Sequence, residues 1–182
     1  MTATRLYHIL PSPCAGTVLY PLNQLKRIDA DRYQAHRRKY RGREALLHRI
    51  IPPLNCLWND VLHFSPVHPA LLRDLKRDVG LSWPAGGRDI AAINPAELEF
   101  NETNTTIWIP RPKKKGDFWI DPAEFLPFDI DQIRKLRDLP DITRTHYADC
   151  ARNGTQPFLF VGIPHILHLG RLRLTDCQII RI

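Results

Sequence analysis

Apolar positions in this chain come in short runs, each soon closed by proline or glycine, and that punctuation predicts many brief elements rather than a few long ones. Residues 5–10 and 17–20 read as strands stopped by Pro11 and Pro21. From Asn23 to about Arg43 the period lengthens. Leu22, Leu25, Ile28 and Tyr33 fall on one side and basic residues on the others, which predicts a helix. Residues 44–51 fit helix or strand, with Ile50-Ile51 before Pro52 favouring strand at the end. Residues 61–64 predict a strand stopped by Ser65-Pro66. Leu71, Leu72, Leu75 and Val79 predict a helix from Pro69 to a stop at Gly80.

Residues 81–96, with Pro84, Gly86, Gly87 and Pro95, read as a long connection. Two strands, 105–109 and 117–120, are expected to form a hairpin with a basic tip. Asp129 and Gln132 resemble a capping box opening a helix to about Leu139, and a further helix runs from about Asp141 to Arg152 before Asn153-Gly154. Residues 158–161 read as a buried strand, and 171–174 and 178–182 as closing strands of alternating polarity. The sum is α+β: a single domain over residues 1–182, with about eight short, mostly antiparallel strands and about four helices.

Residues 47–69 hold the densest chemistry. Between Leu57 and Phe64, apolar residues alternate with Asn59, Asp60 and His63, which are costly to bury without partners. Trp58 and Phe64 read as core, Asp60 as a turn cap and His63 as a half-buried histidine.

Composition sharpens the choice of partner. Lys plus Arg outnumber Asp plus Glu 26 to 19, a net charge of +7 that favours an anionic ligand such as nucleic acid or a phosphate-bearing molecule. The basic stretch includes Arg37, Arg38 and Lys39, and the expected hairpin tip adds Lys113, Lys114 and Lys115. For both, the alternative is a solvated, solubilising surface. Four scattered cysteines indicate neither disulfides nor zinc. His165 and His168 lack an evident third metal ligand. No apolar run approaches membrane-spanning length and residues 1–8 carry no secretory h-region, so a cytoplasmic protein with no membrane partner is expected. P-loop, dinucleotide-binding glycine, nucleophile-elbow and HExxH motifs do not occur.

Tyr7-His8 in an early strand, a middle strand ending at Ser65 before a helix, and a later Ala123-Glu124-Phe125-Leu126 resemble the His–Tyr/Ser–Glu order of ADP-ribosyltransferases, specifically the DarT-like enzymes acting on nucleic acids. The resemblance implies NAD as cofactor. His8, with Tyr7 beside it, would meet the nicotinamide-side ribose. Ser65 and His63 would line the nicotinamide pocket, and Glu124 would stabilise the oxocarbenium-like sugar. It also implies a toxin, a DNA or RNA acceptor and a cognate antitoxin. The chain departs from the family where Ile9-Leu10 replace the usual glycine and threonine and where Pro127 follows soon after Glu124; Gln156 is an alternative occupant of the terminal catalytic position.

Two other readings use the same residues. His63 with His68 or His8 would suit metal-free RNA cleavage, since imidazole titrates near neutrality, and a basic surface alone would suit a non-catalytic nucleic-acid-binding module. The plainest reading keeps His8 on a core carbonyl, Ser65 in a cap or turn, and Glu124 paired with an arginine.

Overall fold

The computed structural model describes residues 4–12, 14, 16–112 and 120–182. In chain order the regular elements are β1 (Leu6–Ile9), β2 (Val18–Leu19), α1 (Leu22–Ile28), α2 (Ala30–Arg37), β3 (Ile50–Ile51), β4 (Cys56–Leu57), β5 (Leu62–Phe64), α3 (Pro69–Asp78), β6 (Asp89–Ile93), β7 (Thr105–Trp108), β8 (Phe125–Pro127), α4 (Ile130–Lys135), α5 (Asp141–Arg152), β9 (His165–His168), β10 (Leu172–Arg173) and β11 (Gln178–Arg181). Single turns of 3-10 helix fill many of the connections, including Arg38–Tyr40, Trp58–Asp60 and Pro122–Glu124.

The fold is α+β, and every strand pair among the described residues is antiparallel. One sheet has the order β1-β6-β11 and another β5-β9-β7-β8, with two-stranded ribbons β10-β2 and β3-β4 beside them. A single bridge joins the two larger sheets: Tyr7 N donates to Ser65 O at 2.9 Å, and Ser65 N to Tyr7 O at 2.8 Å. The strand carrying His8 is thereby set against the strand carrying His63.

Alternation along the strands buries the four-stranded sheet on both faces. Ile107 and Ile166 point into a cluster with Leu6, Phe64 and Ile133. Leu167 points the other way, with Ile51, Trp58, Val61 and Phe125. A third cluster, built on Val67, Leu72, Leu75, Tyr147 and Ile163, docks α3 against α5.

Several sequence expectations are corrected. The single helix from Asn23 to Arg43 is two, because Asp29 leaves helical geometry and caps α2 by accepting from Arg32 N at 3.0 Å. The long connection 81–96 contains β6, the central strand of its sheet. Its alanines have low strand propensity, yet residues 90–93 are all buried. Residues 158–161 form turns instead of a strand. Side chains of α5 take the backbone acceptors, with Thr143 Oγ1 donating to Val161 O and Tyr147 Oη to Leu159 O, and Phe158 is 63% exposed. The strand follows Pro164 as β9. The α4 helix is shorter than expected, with Asp129 accepting from the backbone N–H groups of Asp131 and Gln132. The second strand of the expected hairpin falls largely outside the described residues, and β7 pairs with β8 and β9. Five α-helices and eleven strands stand among the described residues where about four and eight are expected.

Candidate functional site

A cleft of about 190 Å³ opens where β1 passes β5, roofed by α1, α2 and the turn after α2. Its floor includes His8, Asn59, Leu62 and His63, and its polar wall is Arg32, His36, Lys39 and Tyr40. Spacing explains the wall: 32, 36 and 39 lie at i, i+4 and i+7, one face of a helical path. Asp29 starts α2 and so fixes that face, and Asn23 on α1 donates to Asp60 at 2.7 Å, tying the roof to the floor.

The two floor imidazoles are held by backbone. His8 Nδ1 lies 2.8 Å from His63 O. A carbonyl only accepts, so Nδ1 carries the hydrogen and Nε2 is left as an acceptor when the ring is neutral. Burial lowers the His8 pKa, outweighing the His63 carbonyl, and Lys39 lowers it further. His63 Nε2 donates to Trp58 O at 3.0 Å, and burial, with His165 nearby, pulls its pKa down to about 3.

The wall is crowded with positive charge. Burial, then Lys39, Arg32 and His8, lower the pKa of His36; burial, then Arg88, lower that of Lys39. No carboxylate lines the cleft among the described residues. Asp29 stands beside one wall cation, 3.8 Å from Arg32. Lys39 and His36, whose charged forms burial disfavours first and neighbouring cations next, stand in a cleft lined by no carboxylate among the described residues, a setting that a bound anion would relieve.

A second hollow, about 440 Å³ and more open, lies beside the first, with Tyr40 in the wall of both. Arg37, Arg38 and Arg41 line it, with Glu44, which accepts from Gly42 N at 3.0 Å.

Other sequence-selected residues are distributed as follows. Lys39 faces the first cleft, whereas Arg37 and Arg38 face the second hollow. Lys113, Lys114 and Lys115 lie outside the described residues. Tyr7 pairs with Ser65 through backbone, and its ring meets His68 edge-on at 4.8 Å. Ser65 is 2% exposed and its hydroxyl closes a turn with Val67. His68 caps α3 by accepting from Ala70 N, so His63 shares the cleft with His8 and not with His68. Gln156 is on the surface, accepting from Lys76 at 3.2 Å.

Glu124 lies outside the cleft. It is 2% exposed at the foot of β8, and its Oε2 accepts from Trp108 Nε1 at 2.7 Å. Trp108 meets Trp58 edge-on at 5.0 Å, and Trp58 meets His63 at 4.7 Å, so a file of rings separates the carboxyl from the cleft floor. His165 and His168, an odd number of positions apart, face opposite sides of β9. His165 packs among Trp108, His63 and Phe160, while His168 stacks on Phe100 at 4.0 Å and bonds Thr105 Oγ1. No group of three potential metal ligands occurs among the described residues. Nor, among them, is any helix long and apolar enough to cross a membrane.

The basic stretch read from the sequence as a phosphate track supplies Arg32, His36 and Tyr40 to the cleft, although Lys39 alone of its cleft-lining residues is a named site candidate, and Asn59 stands out in the sequence only as a polar residue costly to bury. The i, i+4, i+7 spacing of the wall was available as a signal; Asn59 left none beyond its apolar surroundings. Comparison of the chain with protein-family models, with curated proteins and with solved structures gives no match.

Proposed function

We infer that the cleft binds the nicotinamide-bearing half of NAD and that the protein transfers ADP-ribose to a nucleic acid. One observation carries this reading: an imidazole on the first strand shares a hollow with a cationic wall in which no carboxylate stands among the described residues. The wall suits the pyrophosphate, since Arg32, His36 and Lys39 supply donors and charge to oxygens that only accept. With Nδ1 committed to His63 O, His8 offers Nε2 as an acceptor for a ribose hydroxyl. At about 190 Å³ the cleft is smaller than the roughly 300–1,000 Å³ of typical small-molecule sites, so it suits one end of a dinucleotide. The hollow with Arg37, Arg38 and Arg41 then suits the phosphates of the acceptor strand.

Glu124, behind Trp108 and Trp58, does not line the cleft, so this reading gives it no contact with the departing sugar and rests on His8 and the cationic wall. In the transfer step the glycosidic C–N bond to nicotinamide breaks and a nucleophile on the acceptor forms a new bond to the anomeric carbon; the acceptor's proton leaves to solvent. The test is incubation with NAD labelled in the adenylate, followed by separation of DNA, RNA and protein. Label on nucleic acid, lost with His8→Ala, is expected. A folded protein that transfers no label to any acceptor refutes the reading.

A second reading has its own observation. Three imidazoles, His8, His36 and His63, border one cleft beside Lys39, a set suited to proton transfer at a phosphodiester. It predicts RNA cleavage without NAD or metal, abolished by His8→Ala or His36→Ala. His63 serves there only to position His8, because its own Nε2 is committed to Trp58 O.

A further inference from the structure

Asn59 sits in the turn Trp58–Asp60 at the cleft floor, 2% exposed, and neither its Oδ1 nor its Nδ2 has a hydrogen-bond partner. The turn around it is otherwise well satisfied. Asp60 accepts from Leu57 N at 2.8 Å and from Asn23 at 2.7 Å, and Trp58 O receives His63 Nε2 at 3.0 Å. A buried side-chain amide left with both capacities unmet in such a turn is destabilising, and it is the kind of group that a ligand would complete.

The chemistry of that ligand follows from the pair of atoms. A phosphate oxygen only accepts, so it would satisfy Nδ2 and leave Oδ1 facing an anion; Arg32, His36 and Lys39 already serve that need. One hydroxyl in one orientation completes one atom. A planar group that presents a carbonyl and an N–H side by side completes both, and a primary carboxamide on a single ring fits a cleft of about 190 Å³. We propose that Asn59 is a specificity-determining residue that pairs, donor to acceptor and acceptor to donor, with the carboxamide of the nicotinamide ring. This role rests on the NAD reading above.

The test compares three ligands on the whole chain by calorimetric titration: NAD, its deamidated form with a carboxylate in place of the carboxamide, and ADP-ribose. Wild type is expected to bind NAD about tenfold or more tightly than the deamidated form, because the carboxylate offers no donor to Oδ1. Asn59→Leu is expected to bring the two dinucleotides within about twofold of each other and to leave ADP-ribose unchanged. Its melting temperature without ligand should equal or exceed that of wild type, since an apolar side chain of similar volume removes two unmet groups. Equal wild-type affinity for both dinucleotides, or equal weakening of all three ligands by Asn59→Leu, would overturn the role of Asn59 while leaving NAD binding standing. If Asn59→Leu does not fold, Asn59→Ala is titrated with the same three ligands and the same two outcomes decide. Failure of the wild type to bind any of the three removes the NAD reading and this role with it.

Discussion

Replacing Trp108 by Phe tests what holds Glu124 in place. The substitution keeps an aromatic ring against Trp58 and His165 but removes the indole N–H that donates to Glu124 Oε2 at 2.7 Å. A hydrogen bond to a charged group contributes about 1.5–3 kcal/mol, and the smaller ring forfeits about 1 kcal/mol of packing, so Trp108→Phe should cost about 2.5–4 kcal/mol. The two contributions separate in a double-mutant cycle with Glu124→Leu, read as urea-unfolding free energies at pH 7. Packing terms cancel around the cycle, leaving a coupling of about 1.5–3 kcal/mol for the bond. A coupling below about 0.5 kcal/mol would refute the argument, since the carboxyl would then be held by something other than the indole.

Stability should also depend on acid through three histidines. Burial is the first cause lowering His63 from 6.5 to about 3 and His165 and His168 from 6.5 to about 4, so the unfolded chain takes up protons first. Their contribution is therefore complete above pH 6.5 and is lost as pH falls toward 4, and toward 3 for His63. His168→Leu should flatten urea-unfolding stability against pH by on the order of 1–3 kcal/mol between pH 7 and 4, and an unchanged slope contradicts the assignment. Gly162→Ala should cost about 2–4 kcal/mol, because φ is +75° and a Cβ there would lie 2.5 Å from Ile142 Cγ2; Gly154→Ala, at φ +62° with nothing within 4 Å, should cost about 1 kcal/mol in the same thermal melts. Asp29→Ala should remove the α2 cap at about 1 kcal/mol, read as a lower melting temperature. Arg37→Ala with Arg38→Ala should lower the slope of nucleic-acid affinity against log salt by about 2, read by fluorescence anisotropy.

The α+β class was legible because its signals are local: prolines closed the strands, Pro69 and Gly80 bracketed α3, and Asp129 announced α4. Where the reading missed, tertiary contacts decided. Residues 89–93 carry two alanines that only burial between β1 and β11 makes into a central strand. Residues 158–161 have strand composition, but Thr143 and Tyr147 on α5 claim the carbonyls there. The candidate site divides the same way. The basic helix was visible as composition, and its sorting into a cleft-facing set (Arg32, His36, Lys39) and a second set (Arg37, Arg38, Arg41) follows from helical spacing. The burial of Glu124 beneath Trp108 depends on pairing between β7 and β8, which no local pattern specifies.

The bridge between Tyr7 and Ser65 has a mechanical consequence. The two larger sheets are stitched backbone to backbone at one residue pair, and His8 and His63 sit one and two positions from that stitch. The same seam is backed by a shared core of Leu6, Ala91 and Ile93 from one sheet with Phe64, Ile107 and Ile166 from the other, so the spacing of the two imidazoles is fixed by backbone and packing together. The amides of Tyr7 and Ser65, each bonded to the other's carbonyl, should therefore exchange hydrogen with solvent as slowly as those of the core strands.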